Sequence, residues 1–405
     1  MKLNARKTLS YALTLMVAGS LAISACGGSD VAIATSGVPT IKGQNASFDN
    51  VEIDQAAHRL YLGDRTDKGV DVFDISRPRA KYLQTIALPS SPNGLAFAPD
   101  LHRLFVGTGG GSVVVVDTST GSIVGDVPTG KSSADLLDYG AARQRLYVAN
   151  STDGTITSID PSTLAIKAHF DVGYQLEQPR YNPSDGMVYV TSPQADALFK
   201  VDPDSGNVAY IYSLGGCQPM GMAINPTANK ALIVCRTFVM SFDLNTGKSE
   251  TFKQVLGGDI VNYNAKVDRF LVGSPHITKP SVIGIFGGNP IAYYTSVDTG
   301  AHGNSAAFDE TNNMVYTPDT GPKAPGVASF RLPDKPLILP PWASTMTTVG
   351  MVAVLVAVFG LLFLFVMRSA DPARRPLPKV KPEPDTESPQ AGERSPRGTQ
   401  AGPAT

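Results

Sequence analysis

Short apolar runs recur through the middle of the chain, each broken by glycine, proline, asparagine or aspartate. Residues 94–117 read GLAFAP-DLHRLFVGTGGG-SVVVVD, and a further run follows in SIVGDVPTG up to Gly130. Runs of this length, alternating or continuously apolar between turn residues, predict β-strands. No long stretch between residues 46 and 335 carries a helical period. The pattern repeats as DYGAARQRLYVAN, YNPSDGMVYVTS and INPTANKALIVC, each followed by another apolar run and a turn.

Aligned on the large residue in the middle of the second run, the copies fall at Tyr61, Phe105, Tyr147, Tyr189, Leu232, Leu271 and Tyr316. The gaps are 44, 42, 42, 43, 39 and 45. Aspartates closing the third run give a second ruler: Asp74, Asp117, Asp160, Asp202 and Asp243, spaced 43, 43, 42 and 41. The sixth and seventh copies carry Ile283–Phe286 and Val327–Phe330 there instead. A repeat near forty residues with four strands per unit predicts an all-β fold, a seven-bladed β-propeller of four-stranded blades. The aspartates stand in Asp-x-x-Thr/Ser-Gly turns, where the carboxylate accepts backbone N–H groups and glycine supplies positive φ. They read as turn residues and not as an acidic site.

Leu146–Asn150 (LYVAN) and Val188–Ser192 (VYVTS) resemble the Tyr-Val-Thr-Asn core of the YVTN-type propeller repeat found in surface-layer and secreted bacterial proteins. The Val-Asp-x-x-Thr-Gly-x-Ile/Val element at Val116–Val124 is similar too. The resemblance covers about residues 46–332. It implies a seven-bladed extracytoplasmic propeller and no particular reaction.

The seventh copy lacks a fourth strand, while Val31–Ile41 is a spare strand ahead of the first copy. Pairing it beside Gly326–Arg331 would close the ring and remove an exposed edge. Cys217 and Cys235 flank the first two strands of the fifth copy, and either a disulfide or two buried thiols fits.

The ends of the chain add a membrane. Lys2, Arg6 and Lys7 precede an apolar run from Leu9 to Ile23, so residues 1–25 read as a secretory signal. Ile23-Ser24-Ala25-Cys26 resembles the bacterial lipobox, which implies lipidation of Cys26. Residues 26–45 form a linker containing the ring-closing strand, and 46–335 the propeller. Residues 336–342 are a Pro-rich spacer. Residues 343–367 carry no charge and predict one transmembrane helix, with Trp342 at the interface. The basic residues that follow place 368–405 in the cytoplasm as a disordered tail, and the propeller outside the bacterial cytoplasmic membrane.

Composition narrows the function. Net charge is -1 with only 17% charged residues, so no basic field for nucleic acid is expected. The five histidines are scattered, and His58 and His102 take the same turn position in their repeats. No haem-attachment, zincin or nucleophile-elbow motif occurs. The single tryptophan, Trp342, lies outside the propeller, which argues against a quinoprotein.

One constellation remains. Twelve residues before each anchor, at the start of the innermost strands, stand Asp49, Asn93, Asp135, Glu177, Met220, Asp259 and Asn304. These six carboxylates and amides are expected on one rim of the central channel. Further along the same strands, Glu52 and its repeat equivalents Asp138, Arg180 and Asn262 add polar groups to the bore. Oxygen ligands of this kind suit Ca²⁺ or another divalent cation, though a solvated rim explains them as well. No cofactor is assigned on this basis. Three functions follow as expectations: an envelope module binding a small molecule or protein, a metal-dependent hydrolase of gluconolactonase or lactonase type, or a structural surface-layer component. The repetitive ring favours binding over catalysis.

Overall fold

The computed structural model describes residues 31–39, 45–275, 281–322, 324–333, 357–362 and 364. The chain divides into two units, Met1–Ile338 and Leu339–Thr405. The signal segment with Cys26, the Pro-rich spacer and the tail lie outside the described residues. So does most of the 343–367 stretch, of which residues 357–362 and 364 are helical. Among the described residues no helix is long and apolar enough to cross a membrane.

The first unit holds seven four-stranded antiparallel sheets among its described residues, six of them running in chain order from an inner to an outer strand. The inner strands are Phe48–Asp54, Pro92–Ala98, Ala134–Gly140, Pro179–Asn182, Met222–Asn225, Val261–Asn264 and Ala307–Asp309. These sheets are the blades of a seven-bladed β-propeller. The last blade takes its outer strand from the other end of the chain: Ala34–Gly37 pairs antiparallel with Gly326–Arg331, Ala34 opposite Ser329.

The core lies between blades. Seven apolar clusters each draw on two neighbouring blades, the seventh and first included. Strand alternation sends successive side chains to opposite faces, so each blade feeds two clusters. The repeat anchors all face forward. Tyr61 packs with second-blade residues, Phe105 with the third, Tyr147 with the fourth, and Tyr316 closes onto the first. That shared task is why the position stays large and apolar in every copy.

Turns repeat as strictly as the core. The residue three before each anchor has positive φ in all seven blades: His58, His102, Gln144, Gly186, Asn229, Asp268 and Asn313. This conformation reverses the chain between the first and second strands. The turn aspartates do what their spacing predicts; Asp117 Oδ1 accepts the Ser119 and Thr120 N–H groups at 2.9 and 3.0 Å. Those hydrogen bonds hold the Asp117 carboxyl below its ordinary range. In the fifth blade Cys217 and Cys235 form a disulfide.

Candidate functional site

The rim residues sit where the inner strands begin, at a local break in pairing. In the first three blades the register shifts between Phe48 and Val51, Pro92 and Leu95, and Ala134 and Leu137. Such a bulge re-aims side chains. Rim carbonyls dock against neighbouring blades. Gly221 N–H donates to Asp259 O at 2.8 Å, Ile260 N–H to Asn304 O at 3.0 Å, and Ser305 Oγ to Asp49 O at 3.0 Å. The approach is close enough to need glycine: a Cβ on Gly273 would lie 2.2 Å from the Asn304 carbonyl oxygen.

The rim side chains converge. Asn304 Nδ2 donates to Asp49 Oδ1 at 3.1 Å. Arg65, from the turn after the first blade's second strand, reaches over the rim and donates to Asp49 and, at 3.0 Å, to Asn93 Oδ1. Burial pushes the Asp49 carboxyl up to about 8, against the pull of Arg65, and Asp259 and Asp135 push the same way. Glu177 is also pushed up to about 8, by burial and then by Asp135, Asp259 and Asp49. Asp135 is raised chiefly by burial. Met220, at the fifth-blade position, offers no polar side chain to this ring. Among the described residues, no three His, Cys, Asp or Glu side chains are grouped to hold a metal ion. The guanidinium of Arg65 supplies positive charge at this rim.

Deeper in the bore a second layer forms. Arg180 Nη2 donates to Val261 O at 3.1 Å and Asn262 Oδ1 at 3.3 Å, two blades away, and Arg180 pairs with Asp138 at 3.5 Å. Gln178 reaches the same blade, donating to Val261 O at 3.1 Å and accepting from Met222 N–H at 2.8 Å. A Cβ on Gly221 of the intervening fifth blade would lie 2.6 Å from Gln178 Oε1, so the glycine leaves room for that side chain. Burial pushes the Glu52 carboxyl up to about 7 and raises Asp138, while Arg180 pulls both down.

Beyond this layer lies a cavity of about 600 Å³, whose walls include Glu52, Asp138, Arg180, Asn262 and the rings of Phe97, Tyr139, Tyr181 and Tyr263. Its lining also includes Gln55, Gly140 and Asn264. These lie at or just past the ends of inner strands, so the cavity belongs to the mouth opposite the rim. None of the six expected rim residues lines it. Sequence reasoning placed Glu52, Asp138, Arg180 and Asn262 in the bore but missed Arg65 and Gln178. Neither occupies a repeating polar position, and both act across blade boundaries that no local pattern reveals.

No family model matches the chain, and no curated protein matches it. Among solved structures, the chain is similar to a Kuenenia stuttgartiensis hydrazine synthase at 13% identity and a TM-score of 0.61. The match covers 73% of this chain and 99% of that one. At this identity the likeness extends to the fold.

Proposed function

We propose that this chain is an extracytoplasmic binding module of the bacterial cell envelope, tethered to the cytoplasmic membrane, with the channel-mouth cavity as its ligand site. The cavity is the observation that carries the reading. At about 600 Å³ it has the size of a small-molecule pocket, apolar rings with a few convergent polar groups. The YVTN-like repeats, the lipobox-like Cys26 and the uncharged stretch 343–367 support the location. Protease added outside spheroplasts should then remove the propeller and leave the C-terminal tail protected.

The test of the site is Ala142→Trp. Ala142 is exposed and lines the cavity, so a large ring there blocks the mouth without entering the core. Envelope metabolites are screened by thermal shift against the full chain in detergent. Binders lost in the variant locate the site. Binders unaffected by it put recognition on another surface and refute the reading. A hydrolase reading keeps one supporting feature, since Asp49 and Glu177 both titrate near 8, a range useful for proton transfer. Lactone turnover abolished by Asp135→Ala with Asp259→Ala would favour it.

A further inference from the structure

We propose that the cavity binds an organic cation, through an ammonium or guanidinium group held between the Glu52 carboxylate and the tyrosine rings of the mouth. This rests on the cavity being the ligand site. The charge around the channel is unbalanced. Asp49, Asp135, Glu177 and Asp259 stand at the rim against Arg65, and Glu52 and Asp138 stand at the cavity against Arg180. Above about pH 8, where Asp49, Glu177 and Glu52 are ionised, six carboxylates share two guanidiniums around the channel, in a chain whose formal net charge is only -1. An excess of one sign of charge around a bore focuses its field at the mouth and concentrates the opposite ion there.

The second-layer cation is already committed. Arg180 donates to three backbone carbonyl oxygens, at 3.1, 3.2 and 3.4 Å, and pairs with Asp138. Asp138 in turn accepts the Tyr181 N–H at 2.7 Å. Glu52 lines the same cavity, and no donor among the described residues reaches its carboxylate within hydrogen-bond distance; only the field of Arg180 steadies it. It is the cavity's carboxylate without a hydrogen-bonded partner of its own.

The walls match the same ligand. Tyr139 and Tyr263 line the cavity, but their hydroxyls are turned to other partners, Asp100 at 2.8 Å and Asp268 at 2.8 Å. What they offer the cavity is ring surface. Donation to a carboxylate also enriches the ring in electron density, which suits a cation. An anion would find no free guanidinium, since Arg180, the cationic side chain of the lining, is already committed.

The cation can come from a free amine or from a basic side chain of an envelope protein, and the test separates them. Spermidine, putrescine, the neutral isostere 1,4-butanediol and a tetralysine peptide are titrated calorimetrically into the full chain in detergent. The variants are Glu52→Gln and Ala142→Trp, with folding checked by thermal midpoint. The expected result is binding of at least one amine or the peptide and none of the diol. Glu52→Gln should weaken it about tenfold, the ratio one charge-assisted hydrogen bond supplies, and Ala142→Trp should abolish it. Because burial, against the pull of Arg180 and with the push of Asp138, leaves Glu52 titrating near 7, binding should also be tighter at pH 8 than at pH 6. Free amines binding without the peptide identifies a small-molecule ligand, and the reverse identifies a protein side chain. Equal affinity in wild type and Glu52→Gln, or no cation bound at all, overturns the proposal. The cavity remains a ligand site in that case if Ala142→Trp still blocks some neutral or anionic binder, and both readings fall if it blocks none.

Discussion

Glu177→Gln should stabilise the propeller at pH 8 and leave it unchanged at pH 4. Glu177 faces Asp135, Asp259 and Asp49 across the channel, and no hydrogen bond from the described residues reaches its carboxylate. Its carboxyl titrates near 8 when folded and at 4.5 when unfolded. The folded state therefore keeps a proton that the unfolded state releases. The stabilisation this gives is complete below about 4.5 and is lost as pH rises through about 8, at about 1.4 kcal/mol per pH unit. Across that window a fully enclosed carboxyl would account for about 5 kcal/mol. Glu177 keeps part of its surface open to the bore, and solvent there screens the repulsion, leaving about 2 kcal/mol. The glutamine removes the charge at constant shape. Urea denaturation at pH 4, 6 and 8 should show a shallower pH slope in the variant, and at pH 8 a melting point raised by about 3 °C for a domain of this size. Slopes that coincide would mean that the rim carboxylates do not meet on one axis. Slope remaining in the variant belongs to the other raised carboxyls, among them Asp49, Glu52, Asp135, Asp138 and Asp71, the last buried beside Asp64 and held near 8.

Arg65→Met removes the guanidinium from Asp49 and Asn93, so the Asp49 carboxyl should rise further and the variant should lose more stability at pH 8 than at pH 5 in the same assay. Gly273→Ala places a Cβ against the Asn304 carbonyl and should cost about 1–3 kcal/mol in urea denaturation, while alanine at exposed Gly215, with nothing within 4 Å of its Cβ, pays only for its positive φ. Replacing Cys217 and Cys235 by serine opens a loop of sequence separation 18 and should lower unfolding stability by about 3 kcal/mol. A variant as stable as the wild type would contradict the bridge.

The propeller was readable because each repeat position has one physical task. Tyr61, Phe105, Tyr147 and their equivalents fill the same gap against the next blade, and His58, His102 and Asn229 make the same reversal. The spare strand at Ala34–Gly37 followed from counting strands, since a blade with three leaves an edge open. The chemistry of the bore was only half legible. Repeat alignment located Asp49 and Glu52, because inner strands run alike in every blade. It could not locate Arg65, which sits in a turn and reaches the rim by length alone, or Gln178, which lies against Gly221 of the next blade and bonds to Val261 of the blade beyond. Nor could it say that the cavity belongs to the mouth opposite the acidic rim, because its size depends on how seven strand ends splay.

The most direct test is a crystal structure of the full chain grown with spermidine. An ammonium nitrogen within hydrogen-bond distance of the Glu52 carboxylate, its chain lying along the Tyr139 or Tyr263 ring, is the predicted result. A cavity holding only water at saturating spermidine, or spermidine bound at the rim beside Asp49 and Glu177 instead, would contradict the account.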